Sequence, residues 1–266
     1  MKKFLAILAS VGFVILLIWI SATVTALAIA SSEEYYKTNL RECGVYSEEN
    51  EDGTERRRII YFVGGSRAVK ATLSDEQLDA VAEHVVGYLF GDVKDFELVL
   101  DGVEIIGGGI QDGVSLFGEK AITHMEDVKG LIRGIQISLI PSAVLMLLLL
   151  VYILKKQKPR DVIKYTLAFL FIILCAAALF CLWSYLGSSE NNPFLLNLWG
   201  NLHYIIFAFQ GDAYRGSFLA DALVYILTLD FFIGAVLLVV TVIAAVLAIW
   251  LVALFILERY SKKYNR

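Results

Sequence analysis

Three histidines hold most of the chain's capacity for proton transfer near neutral pH: His84, His124 and His203. An imidazole is the side chain whose ordinary titration falls in that range. His84 stands among Glu83, Val85 and Val86 on a helical pattern and reads as a partly exposed helix histidine. His124 lies in Ala121–Gly130, shortly before a long apolar run, and His203 lies in the aromatic stretch Leu198–Phe209 with Trp199, Tyr204 and Phe207 around it. A histidine in apolar surroundings must find a hydrogen-bond partner or lose affinity for its proton, because burying the charged form is costly. That is how a general base is made. A purely structural hydrogen bond is the other reading, and spacing leaves both open. On a helix, Asp127 at three residues from His124 shares its face and would orient the ring or favour the imidazolium. Two histidines with Asp127 or Asp212 would also offer metal ligands, but no tight ligand spacing supports this. No metal and no cofactor are expected.

Other chemistry has little footing. The chain contains no phosphate-cradling glycine loop, no His-Glu-x-x-His zinc motif and no Gly-x-Ser-x-Gly elbow. Cys43 stands alone, and Cys175 and Cys181 lie on different faces of one apolar run, so no disulfide framework is implied. The run Arg56–Arg58 sits in a net-negative segment and reads as the solvated edge of a strand; nucleic-acid binding is not expected.

The elements that must position the histidines follow from composition. At 58% hydrophobic residues, 19% charged and a mean hydropathy of +0.67, the 266-residue chain is too apolar for a soluble domain. Four uncharged runs, Phe4–Ala30, Ile135–Leu154, Tyr165–Leu186 and Phe231–Leu257, of 27, 20, 22 and 27 residues, are each long enough to cross a membrane as a helix. The first begins after Met1-Lys2-Lys3 like a secretory signal, but it is too long for a signal core and is expected to remain as an anchor. Basic residues cluster at the N-terminus, in 155–164 and in 258–266, which predicts both termini and that loop on the cytoplasmic side. Residues 31–130, with 21 acidic and 10 basic side chains, are then outside, together with 187–230. Phe194–Phe209 is uncharged but short, and reads as an interfacial or re-entrant element on that outer face.

The expected architecture is membrane α-helical: four transmembrane helices (1–30, 131–154, 165–186 and 231–257) with a small mixed α/β extracellular cap over 31–130. Within the cap, Arg56–Val63 and Phe96–Ile106 read as strands, bounded by Gly64-Gly65 and Gly107-Gly108-Gly109. Between them Ser74 and Gln77 predict a capping box, with Leu78, Val81, Ala82, Val85 and Leu89 at helical spacing up to Gly91. A second helix is expected from near Gly118 through Met125 and Val128 towards the second span. His124 and His203 would then lie at similar depth, where cap meets membrane.

The run His124-Met125-Glu126-Asp127-Val128-Lys129 before a span, followed two spans later by His203-x-x-x-Phe207, resembles the bacterial integral membrane family that contains the lipoprotein intramolecular transacylase, Lit. The order of spans and outer segments is similar, and Leu73–Gly91 resembles the family's acidic Leu-Ser-x-Glu-x-Leu helix. Two differences stand out. Gln210-Gly211-Asp212-Ala213-Tyr214 follows the second histidine where the family often has Asp and then Trp, and Leu227–Asp230 lacks the family's proline.

The resemblance implies an enzyme that moves the sn-2 acyl chain of an S-diacylglyceryl-cysteine lipoprotein to the α-amino group of the same cysteine. His124 and His203 would be catalytic. Asp127, Tyr204, Phe207, Asp212 and Tyr214 would orient or bind the substrate. The partners implied are the diacylglyceryl lipoprotein and membrane lipid. An intramolecular aminolysis supplies its own nucleophile, so two histidines suffice without an activated Ser or Cys. The alternative is a non-enzymatic envelope protein whose acidic cap binds a partner. A channel or transporter is disfavoured because the spans hold no Asp, Glu, Lys or Arg.

Overall fold

The computed structural model of the protein describes residues 2–42, 46–49, 55–63, 67–91, 93–188 and 229–264, with positions 194, 198 and 201. Six helices are described: α1 (Lys2–Ala30), α2 (Glu33–Glu42), α3 (Asp75–Phe90), α4 (Glu119–Lys156), α5 (Pro159–Leu186) and α6 (Leu229–Tyr264). Seven short strands accompany them: β1 (Tyr46–Glu49), β2 (Glu55–Val63), β3 (Arg67–Thr72), β4 (Val99–Leu100), β5 (Val103–Ile105), β6 (Gly109–Gln111) and β7 (Val114–Ser115). The chain divides into two compact units. One comprises Met1–Ala26, Ile135–Ala208 and Leu237–Arg266; the other comprises Leu27–Gly134 and Phe209–Val236.

The first unit is built from helices α1, α4, α5 and α6, each with a stretch long and apolar enough to cross a membrane. The four uncharged runs expected to cross a membrane fall within these helices. Their outward side chains are apolar, among them Ile137, Ile140, Phe171, Leu174 and Ile249, all more than 65% exposed. Side chains of that kind are at home against lipid tails. The helices meet through Ala9 and Phe13 of α1, Ile153 of α4, Val162 and Ile163 of α5 and Leu254 of α6. Phe13 packs against Trp250 at a tilt of 40°, with ring centroids 4.5 Å apart. Gln157, in the two-residue turn between α4 and α5, donates from Nε2 to the Ala6 carbonyl at 3.1 Å and accepts from Ser10 Oγ at 2.9 Å. The basic residues at 155–164 therefore sit mostly on helix ends, since α4 runs to Lys156 and α5 opens with Pro159 at its first turn.

The second unit is mixed α/β. An antiparallel sheet runs β1-β2-β3-β5-β6, and β4 pairs with β7 in a separate two-stranded ladder. The long hairpin aligns Ile59 with Ala71 and Val63 with Arg67. Helix α3 starts as its sequence predicts: Ser74 Oγ accepts from the Gln77 amide at 3.2 Å, and Gln77 Oε1 accepts from the Ser74 amide at 2.8 Å. Its buried face is Leu78, Val81, Ala82, Val85, Val86, Tyr88 and Leu89. These pack around Phe96, which stacks on Phe117 at 4.4 Å and meets Tyr88 edge-on at 5.1 Å. Helix α2 joins through Tyr36 and Leu40, and its Lys37 bridges to Glu83 of α3 at 3.0 Å.

The single strand expected over Phe96–Ile106 is instead two, broken between β4 and β5. Gly102 has φ +66°, a left-handed conformation that ends a strand. Its amide donates to Asp112 Oδ1 and the Gly113 amide donates to Asp101 Oδ1, both at 2.8 Å, so two Asp-Gly corners latch each other. The Gly107–Gly109 punctuation does what was expected, turning β5 into β6.

Candidate active site

Helix α4 is the element that carries His124. It opens with Glu119, an acidic side chain in the first turn where the helix dipole favours one. Along its first turns Ala121, His124, Met125 and Ile132 are buried and Val128 is half-buried, spaced as one stripe. His124 is 7% exposed and sits in that stripe among the apolar side chains of the second unit's core. Asp127, half-buried, is next to it on the same flank of the helix. The charged form of an imidazole so enclosed needs compensation.

The opposite flank of α4 is different in kind. Glu126, Lys129, Gly130 and Arg133 come roughly 140–240° round the axis from His124 and line an open cavity of about 520 Å³ with residues from the end of α3. Lys129 Nζ donates to the Val93 carbonyl at 3.2 Å and lies 4.0 Å from the Tyr88 ring centroid. The cavity is therefore separate from His124. Nothing in the residue spacing announced it, because Lys94 and Tyr88 reach it only through the packing of α3 on α4.

His203, Tyr204, Phe207, Asp212 and Tyr214, like Cys43, lie outside the described residues. Asn201 makes a contact that residue types did not signal: its Nδ2 donates to Ser184 Oγ, 3.1 Å away and fully buried near the end of α5. Phe194 meets Tyr185 edge-on at 6.2 Å in the same unit.

His84 is half-buried on α3, with Nε2 3.2 Å from the Phe96 carbonyl and its ring 5.8 Å from the Phe96 ring. Burial lowers its affinity for a proton, partly offset by the carbonyl. It is a partly exposed helix histidine, as expected. Burial also holds the Tyr36 hydroxyl well above the usual phenol range. Among the described residues no three His, Cys, Asp or Glu side chains gather as a metal ion would require.

The family model of the lipoprotein intramolecular transacylase Lit matches residues 10–232. No curated protein and no solved structure matches the chain. A match that covers most of the chain and includes both His124 and His203 makes this protein a member of the lipoprotein intramolecular transacylase family, and thus a membrane acyltransferase.

Proposed function

We propose that the protein moves the sn-2 acyl chain of an S-diacylglyceryl-cysteine lipoprotein onto the α-amino group of that cysteine, with His124 and His203 handling the protons. The observation that carries this reading is the burial of His124 in the apolar stripe of α4, about three turns before the long charge-free stretch of that helix. With α4 and α5 both crossing the membrane, the chain would return to the side from which α4 set out, and this supports placing His203 on the same face. By the distribution of basic residues that face is extracellular, with both termini in the cytoplasm.

In this mechanism the neutral α-amine attacks the sn-2 ester carbonyl, and a carbon–nitrogen bond forms as the carbonyl oxygen gains charge. One imidazole accepts the proton from the amine. The other donates to the glyceryl oxygen as the carbon–oxygen bond breaks, leaving an amide and a free sn-2 hydroxyl. No water is consumed and the mass is unchanged. Asp127 orients or charges His124, while Tyr204, Phe207, Asp212 and Tyr214 hold the glyceryl and acyl groups near the amine. Holding both reacting groups on one molecule removes the entropic cost of bringing them together, so modest acid and base catalysis is enough.

The test is tandem mass spectrometry of the N-terminal peptide of a reporter lipoprotein, from a host that makes only the diacyl form, with and without this protein. Fragments that place one acyl chain on nitrogen, absent with His124→Ala, are expected. A free α-amine despite folded, membrane-inserted protein would overturn the reading.

A further inference from the structure

The cavity on the flank of α4 opposite His124 has a composition that calls for a ligand. Its wall carries three cations, Lys94, Lys129 and Arg133, against one carboxylate, Glu126, with the Tyr88 side chain and Val93 between them. The Asp95 carboxylate also lies near enough to act on the Tyr88 hydroxyl, and the C-terminal end of α3 adds roughly half a negative charge, so the balance remains positive by about half a charge. Lys94 and Arg133 are exposed at the wall, free of packing duty, while Lys129 is held in place by Val93 and Tyr88. Gly130 leaves open space where a side chain would intrude. An open, basic recess of about 520 Å³ has room for a glycerophosphate headgroup and shows it several N–H donors.

Depth selects the source of the anion. The apolar run of α4, charge-free from Ile135 to Leu154 and preceded only by Gly134 after Arg133, is about 30 Å of helix, which matches a hydrocarbon core. Arg133 is thus within one turn of the hydrocarbon and Lys129 one turn further out. That is the layer in which lipid phosphates sit, and in which long cationic side chains reach them.

We propose that this cavity binds the phosphate of an anionic phospholipid headgroup, with Arg133 and Lys94 as its grips and Lys129 as a fixed positive floor. Such a lipid would dock beside the helix that carries His124 without entering the histidine site. The proposal requires only that α4 crosses the membrane, and so stands or falls apart from the acyl-transfer mechanism.

The experiment is native mass spectrometry of the full-length protein from mild detergent, offered phosphatidylglycerol and phosphatidylcholine in equal amounts. The expected result is preferential retention of phosphatidylglycerol, reduced roughly fivefold for each neutralised cation in Arg133→Gln and Lys94→Gln and largely kept in Arg133→Lys. Thermal unfolding of each variant without added lipid should match the parent protein, since both side chains are exposed. Lys155→Gln with Lys156→Gln, at the other end of α4, should leave the preference intact; an equal loss there would mean bulk charge and would overturn the proposal. So would equal retention of both lipids. Complete displacement by excess inorganic phosphate would assign the recess to a free anion, and displacement by a diacyl lipopeptide would assign it to the substrate; either result overturns the phospholipid assignment.

Discussion

The Lys129 ammonium stands 4.0 Å from the centroid of the Tyr88 ring, so a cation on α4 is seated on an aromatic face of α3. The same ammonium donates to the Val93 carbonyl, at 3.2 Å, just past the end of α3. A cation over a ring contributes about 0.5–1 kcal/mol at partly open sites, and a hydrogen bond from a charged donor about as much or more. Lys129→Ala is expected to destabilise the α/β unit by about 1–2 kcal/mol, and Lys129→Arg by less. Denaturant unfolding followed by hydrogen exchange at α3 amides would measure it. An unchanged exchange rate in Lys129→Ala would show that the contact contributes nothing.

His124 and His84 should respond oppositely to the same substitution. His124→Ala is expected to lower acyl transfer by about 10²–10⁴-fold, the usual contribution of a positioned acid or base, while the protein still folds and inserts. His203→Ala should do the same. His84→Ala removes the contact with the Phe96 carbonyl, so it should reduce stability with little effect on transfer. The check is the N-acyl fragment yield per folded molecule; equal losses from all three variants would reduce the pair to structural histidines.

The start of α3 depends on a reciprocal pair of hydrogen bonds, Ser74 to Gln77 and back, at 3.2 and 2.8 Å. Ser74→Ala should cost about 1 kcal/mol, within the range for N-cap truncations, and Gln77→Ala somewhat less. Gln77 Nε2 also donates to the Asp101 carbonyl at 2.8 Å, so its loss should loosen the β4–β5 corner. Thermal unfolding of both variants, compared with Ser74→Thr as a conservative control, measures the difference.

What could be foreseen from sequence was periodic or local. The spans follow from long uncharged runs, and α3 follows from apolar residues at helical spacing between Ser74 and Gly91. Helix α2 was missed because EEYYKTNLRE is polar nearly throughout, and among its described side chains only Tyr36 and Leu40, one turn apart, are buried. Strand β3 was missed because RAVKAT is short and its partners are set by register with β2 and β5. His124 stands out in the sequence because a titratable group beside a long apolar run is conspicuous. The basic cavity behind it was not, since Lys94 and Arg133 are 39 positions apart and meet only after α3 has packed on α4. The contact of Asn201 with Ser184 is equally a product of folding, joining residues 17 apart.

The half-buried His84 gives the protein a pH dependence with a definite sign. Burial lowers its proton affinity below the ordinary value of 6.5, with the Phe96 carbonyl opposing in part. The unfolded chain therefore binds the proton at a higher pH than the folded one. As pH falls through 6.5 and towards the lower folded value, protonation favours the unfolded state and stability declines; above that window both states are neutral and this contribution is complete. His84→Gln keeps a donor for the carbonyl and removes the titration, so its stability should vary less steeply with pH across the same range. The difference between parent and variant isolates His84 from His124 and His203, which both proteins keep. Parallel stability curves from pH 7.5 down to about 5 would show that burial of the ring has no consequence for its proton.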